Sequence, residues 1–317
     1  MEVPMTKENE FYERLKKKGV SRRDFMKYCT FLTATMGLSS SFVPEVAQVF
    51  AAPKQRPTVV WLHFGECTGC SESTLRSMYP WIDELVLDIL DVAYHETIMA
   101  AAGHQAEDVL HSTVKKHEGK FICVCEGAVA TKFDGGYGKI AGRTFLDIAK
   151  EICPKAAGVI CIGSCSSFGG IQAASPNPGG FKGVGDALGM KTVNVSGCPP
   201  NPVNFVGSVV NYLLMGKLPE IDSLGRPLFA YGKTIHDQCP RRSHFENDEF
   251  VEVFGSEEAA LGYCLYKVGC RGPETYNNCP IAKFNDGTSW PVEAGHPCIG
   301  CSEPAFWDKF TPFYEEI

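Results

Sequence analysis

Short apolar runs recur along the first two-thirds of the chain, separated by stretches whose apolar residues fall at helical spacing. Residues 58–64 are rich in β-branched and aromatic side chains and predict a buried strand. Residues 71–78 read as a helix capped by Ser71. A mixed apolar region at 81–94 leads into a helical stretch at 104–117. Further strands are predicted at 120–125, 158–162 and 191–195, and further helices at 142–152 and 201–215. Short apolar strands alternating with helices predict an α/β, flavodoxin-like domain whose sheet is mainly parallel and covered by helices. The order of the strands is not legible from pattern alone.

After Leu218 the pattern breaks. Residues 219–226 read as a linker, and the remainder is rich in Gly, Pro, Asn and Cys with little sustained periodicity. A segment of this kind buries little apolar surface by itself and is expected to depend on cross-links. The expected division is therefore 52–218 and 219–317, preceded by a leader at 1–51. The leader reading rests on Ser21-Arg22-Arg23-Asp24-Phe25-Met26-Lys27, a modest apolar run over 28–38, and small residues at Val49-Phe50-Ala51-Ala52. Such a twin-arginine segment implies export of an already folded protein to the periplasm. A basic amphipathic helix is the plainer reading, but the order of the three features favours the leader. No other apolar run approaches the roughly 20 residues of a membrane span. The closing residues, Phe310 to Ile317, form no hydrophobic tail, so no anchor is expected.

Composition narrows the chemistry. The 317 residues are 44% hydrophobic and 21% charged, as in a soluble two-domain protein, and a net charge of −7 argues against nucleic acid as a partner. Fifteen cysteines is a high number for this length. Four of them follow predicted strands directly, in Glu66-Cys67-Thr68-Gly69-Cys70, Gly163-Ser164-Cys165 and Ser196-Gly197-Cys198-Pro199. Parallel strands put these loops on one edge of the sheet, where ligands bind in such folds. Cys67, Cys70, Cys165 and Cys198 can therefore converge, and four thiolates suit a cubane iron–sulfur cluster or zinc. By itself the Cys-x-x-Cys pair is also compatible with a redox disulfide. Cys123, Cys125, Cys153 and Cys161 are left over, and those inside strands are expected to act as small core residues. In the last third, His236, Cys239, Cys264, Cys270, Cys279, Cys298 and Cys301 are the candidates. Disulfides are the alternative there, but the His-x-x-Cys spacing and the closing Cys-Ile-Gly-Cys favour metal.

Together these motifs resemble the small, electron-transferring subunit of nickel–iron hydrogenases. The resemblance spans essentially the whole chain and also includes Cys264-Leu265-Tyr266-Lys267-Val268-Gly269-Cys270, Thr275-Tyr276-Asn277-Asn278-Cys279-Pro280 and His296-Pro297-Cys298-Ile299-Gly300-Cys301. It implies a flavodoxin-like domain followed by a loop-rich iron–sulfur domain. Cys67, Cys70, Cys165 and Cys198 would hold a proximal [4Fe–4S] cluster near the nickel–iron site of a separate large subunit. Cys279, Cys298 and Cys301 would hold a medial [3Fe–4S] cluster, with Pro291 where a fourth ligand would stand. His236, Cys239, Cys264 and Cys270 would hold a distal [4Fe–4S] cluster, from which electrons pass to an external carrier such as a c-type cytochrome. No motif for nickel is present, so no catalytic residue is expected in this chain. Glycine at Gly69 and Gly170 matches positions where oxygen-tolerant members carry two further cysteines. Ala130 departs from the family, which usually has proline there. The alternatives are a stand-alone ferredoxin-like electron carrier and a zinc-stabilised binding protein.

Overall fold

Five strands, β1 (Thr58–His63), β2 (Asp91–His95), β3 (Ile122–Glu126), β4 (Gly158–Ile162) and β5 (Val193–Val195), pair in parallel in the order β2-β1-β3-β4-β5. This is the flavodoxin-like order, which sequence pattern could not supply. The computed structural model describes residues 7–53, 56–77, 80–285 and 287–315. Alternation along the strands gives the sheet two buried faces. One carries Val59, Trp61, Ile122, Val124, Ile160, Ile162, Val193 and Val195, and packs on Phe205, Val206, Val209 and Val210 of a long helix, Pro202–Met215. The other carries Val60, Leu62, Cys123, Cys125, Val159 and Cys161. It packs on Leu110 and Val114 of the helix His104–Lys116 and on Leu146, Ile148, Ala149 and Ile152 of the helix Phe145–Ile152.

The structure corrects several boundaries. The first site helix is Gly69–Leu75, preceded by Thr68 in a left-handed conformation, so Ser71 lies inside the helix and does not cap it. The mixed region at 81–94 resolves into helical turns over Ile82–Glu84 and Leu85–Ile89 and then the edge strand β2. The helix expected from 142 begins only at Phe145, because 139–140 and 143–144 form a two-residue hairpin and the Thr144 side chain caps the helix by accepting from Asp147 N–H. Ala130 is buried and pairs with Phe181 in a two-residue antiparallel ladder.

The segment assigned as a leader is helical over Lys7–Lys17, Arg22–Thr35 and Val43–Ala51. Its Phe11, Phe25, Cys29, Leu32 and Phe50 are buried in the same core as Trp61 and Phe205, while Arg22 and Arg23 stay exposed. Among the described residues no helix is long and apolar enough to cross a membrane.

Residues 219–226 are fastened rather than loose. Arg226 is 4% exposed, pairs with Asp222 and Glu303 at 2.8 Å each, and lies over the rings of Tyr231 and Tyr276. Beyond it, helices among the described residues are three to five residues long. The small core there counts Cys270, Cys279 and Cys298 among its members, beside Ile235, Val251, Leu265, Trp290 and Val292. Three residues thus serve both its packing and its candidate ligand sets.

Candidate metal centres

The first centre forms where β1, β4 and β5 end. β1 runs into the loop of Cys67 and the helix that starts at Gly69, which puts Cys67 and Cys70 either side of the left-handed Thr68. β4 turns at Gly163, with φ +90°, into the helix Gly163–Phe168 that carries Cys165. β5 leads into Ser196 and then Gly197, which has φ +146°, and delivers Cys198. Two bonds lock the last two loops together: Ser164 N–H donates to Gly197 O at 2.9 Å, and Gly197 N–H donates to Ser164 Oγ at 3.0 Å. A Cβ on Gly163 would stand 2.3 Å from Cys70 Sγ, and one on Gly170 2.5 Å from Cys165 Sγ, so glycine at both places leaves room for the thiols. Cys67 and Cys198 are exposed, and Cys70 and Cys165 half-buried. Burial pushes the Cys165 thiol up to about 12, with Cys198 and Cys67 close enough to add to the effect. Cys70 is raised too, by burial and then by Glu126 and the other three thiols.

Glu126, at the end of β3, is the residue that sequence reasoning passed over. It is 1% exposed. Its carboxylate accepts from Cys70 N–H at 3.0 Å, Ser71 N–H at 3.1 Å, Ser71 Oγ at 2.6 Å and Trp61 Nε1 at 3.2 Å. It thus satisfies the open end of the Cys70 helix from a neighbouring strand. His63 and His95 extend the network, 3.4 Å apart, with Ser71 Oγ 3.3 Å from His95. Burial and the charge of His63 push His95 down to about 3, so this ring stays neutral. A lone Glu closing a run of buried strand positions was the available signal for Glu126.

The second centre lies where the C-terminal segment meets the sheet edge. Cys198, Cys279, Cys298, Cys301 and Pro291 line one cavity of about 760 Å³. Asn204 and Asn278, both buried, exchange side-chain hydrogen bonds of 2.8 and 3.0 Å and fix the turn that presents Cys279. Ser164 Oγ donates to Cys301 O, and Ser196 Oγ donates to Ser302 O at 2.9 Å, tying Cys301 to the loops of the first centre. Burial pushes the Cys301 thiol up to about 11, opposed by a hydrogen bond from the Cys198 backbone.

The third centre is built by His236, Cys239, Cys264 and Cys270, which line one small cavity with Leu265, Gly272, Pro273 and Val292. The His236 ring lies edge-on to Phe245 at 4.6 Å. Burial and the adjacent Arg242 hold its pKa below the usual value, which favours the neutral ring that binds metals. Burial pushes Cys264 up to about 11. One bond joins this centre to the second: Cys298 N–H donates to Cys270 Sγ at 3.3 Å.

The eleven sequence-predicted ligands therefore fall into three groups that touch in order. Their chemistry fits iron–sulfur clusters. Burial holds most of these thiols above the usual pKa, against the pull of Arg241 on the third group, so a metal is needed to hold them as thiolates. The groups offer four sulfurs, three sulfurs, and three sulfurs with an imidazole. No disulfide links any of them; all fifteen cysteines are free.

Residues 231–314 match the family described as the C-terminal part of the NiFe/NiFeSe hydrogenase small subunit, and residues 67–212 match that described as NADH ubiquinone oxidoreductase, 20 Kd subunit. The chain is 56% identical over 306 residues to the periplasmic [NiFe] hydrogenase small subunit 1 of Nitratidesulfovibrio vulgaris, covering 96% of each chain. It is 53% identical over 304 residues to the periplasmic [NiFe] hydrogenase small subunit of Solidesulfovibrio fructosivorans, again covering 96% of each. Among solved structures it is similar to a reduced, active Ni-Fe-Se hydrogenase from Desulfomicrobium baculatum. That match has a TM-score of 0.78 at 35% identity, over 83% of this chain and all of that one.

Proposed function

The chain belongs to the small subunits of nickel–iron hydrogenases, iron–sulfur partners of a large subunit in a hydrogen-metabolising oxidoreductase, and we propose that it relays electrons through three centres between that subunit and an external carrier. Cys67, Cys70, Cys165 and Cys198 would hold a proximal [4Fe–4S] cluster; Cys279, Cys298 and Cys301 a medial [3Fe–4S] cluster; and His236, Cys239, Cys264 and Cys270 a distal [4Fe–4S] cluster. Such clusters, when bound, accept and pass on single electrons. The observation that carries the reading is contact in series: the loops of Cys165 and Cys198 bond to the Cys301 segment, and Cys298 bonds to Cys270.

The chain's own residues supply the setting. Cys67 and Cys198 are exposed at the sheet edge, where a large subunit would cover them. Glu126 fixes the backbone of Cys70 and adds a buried negative charge beside it. Pro291 lines the medial cavity with no donor atom on its side chain, which suits a three-thiolate site. His236 replaces an anionic thiolate by a neutral ring, making the distal ligand set less negative. The carrier beyond it would be a c-type cytochrome, and the twin-arginine leader would bring the folded protein to the periplasm.

His236→Ala in the heterodimer tests the relay. Electron delivery to an external acceptor should slow, while hydrogen–proton isotope exchange, which needs only the large subunit's site, stays near wild type. Equal loss of both activities would overturn the distal assignment.

A further inference from the structure

A fourth group of thiols lies away from the relay, on the opposite side of the sheet from the helix Pro202–Met215. Cys123 and Cys125 are two residues apart in β3 and point to the same face. Cys153 meets them from the end of the helix Phe145–Ile152. The three sulfurs form a nearly regular triangle with sides of 3.7, 3.7 and 4.0 Å. All three residues are 0–1% exposed. Cys161 is the register partner of Cys125 in β4, is equally buried, and lies close enough to interact electrostatically with Cys123 and Cys153.

From this geometry we propose that Cys123, Cys125 and Cys153 bind one structural zinc ion, and that Cys161, whose sulfur stands outside the 4.8 Å group formed by the other three, turns in as the fourth donor. A tetrahedral zinc thiolate with bonds of about 2.3 Å has sulfur–sulfur edges of about 3.8 Å, and the observed triangle matches one face of that tetrahedron. The ligand atoms are sulfur alone, which selects a soft, thiophilic cation over calcium, magnesium or manganese. The donors come from two adjacent strands and the helix over them, so the ion pins the helix Phe145–Ile152 to the centre of the sheet. Binding replaces each coordinating thiol's proton by a metal–sulfur bond, and the protons pass to solvent during folding. No electron is transferred.

The test is elemental analysis of the heterodimer purified without a metal-affinity tag, combined with X-ray absorption at the zinc edge. The proposal expects roughly one zinc per heterodimer with a sulfur-only shell at about 2.3 Å. In Cys153→Ala and, separately, Cys125→Val, zinc should fall to background while iron stays at the wild-type level. Wild-type heterodimer with full iron and no zinc overturns the proposal and leaves the thiols as core packing. Zinc with nitrogen or oxygen neighbours, or copper in its place, overturns it as well. Because the wild-type measurement decides by itself, a poorly folding variant cannot rescue the idea.

Discussion

Gly163→Ala probes whether the sheet-edge loops exist to hold Cys70 and Cys165 around one small volume. Two costs arise at this position. Gly163 has φ +90°, where an alanine carries about 1–3 kcal/mol of backbone strain. The new Cβ would also stand 2.3 Å from Cys70 Sγ, a separation no non-bonded carbon and sulfur can keep, so the thiol must rotate away from the other three. Gly216, at the end of the helix Pro202–Met215, separates the two effects. Its φ is +68°, and a Cβ there meets nothing within 4 Å, so Gly216→Ala carries the strain without the collision. Both heterodimers should melt a few degrees lower, about 2–4 °C for each kcal/mol in a domain of this size. Only Gly163→Ala should also lose about four irons per chain and the paramagnetic signal of the proximal cluster. A Gly163→Ala protein with full iron and an unchanged proximal signal would refute the placement of Cys70 as a ligand.

Pro291→Cys should add a fourth thiolate to the medial cavity and convert [3Fe–4S] to [4Fe–4S], seen as loss of the three-iron signal in the oxidised enzyme; persistence of that signal in a folded variant would show that Pro291 is not at the open corner. The complex should lose hydrogen oxidation in air and recover after reduction, because Gly69 and Gly170 offer no extra sulfur and a side chain at Gly170 would collide with Cys165. Sustained turnover under air, or a third oxidation state of the proximal cluster in a potential titration, would contradict this.

The sequence carried much of the fold and the grouping of the candidate ligands, for a physical reason. Buried parallel strands need continuous apolar runs, so β1, β3, β4 and β5 stand out, and the loops after β1, β4 and β5 carry the thiols. β2 was obscured because it is an edge strand, exposed at Asp91 and half-buried at Val92. Glu126 was passed over because its role depends on the backbone N–H groups of Cys70 and Ser71, which only the sheet brings beside it. Alternation along β3 puts Cys123 and Cys125 on one face, but nothing in the pattern says that Cys153, 28 residues later, closes the triangle. Arg226 read as part of a linker, since its ion pair with Glu303 spans 77 residues. The N-terminal helices show the opposite limit: an apolar run of the kind expected in a leader also has the spacing to join a core, as Phe25, Cys29 and Leu32 do.

The central claim is that ten cysteines and one histidine hold three iron–sulfur clusters in series. The most direct test is the iron and acid-labile sulfide content of the natively purified heterodimer, beyond the iron of the nickel–iron site. Clusters of four, three and four irons predict about 11 irons and about 12 sulfides in this chain, with nickel confined to the large subunit. Zinc in place of iron at these ligands, with no acid-labile sulfide, would contradict the account.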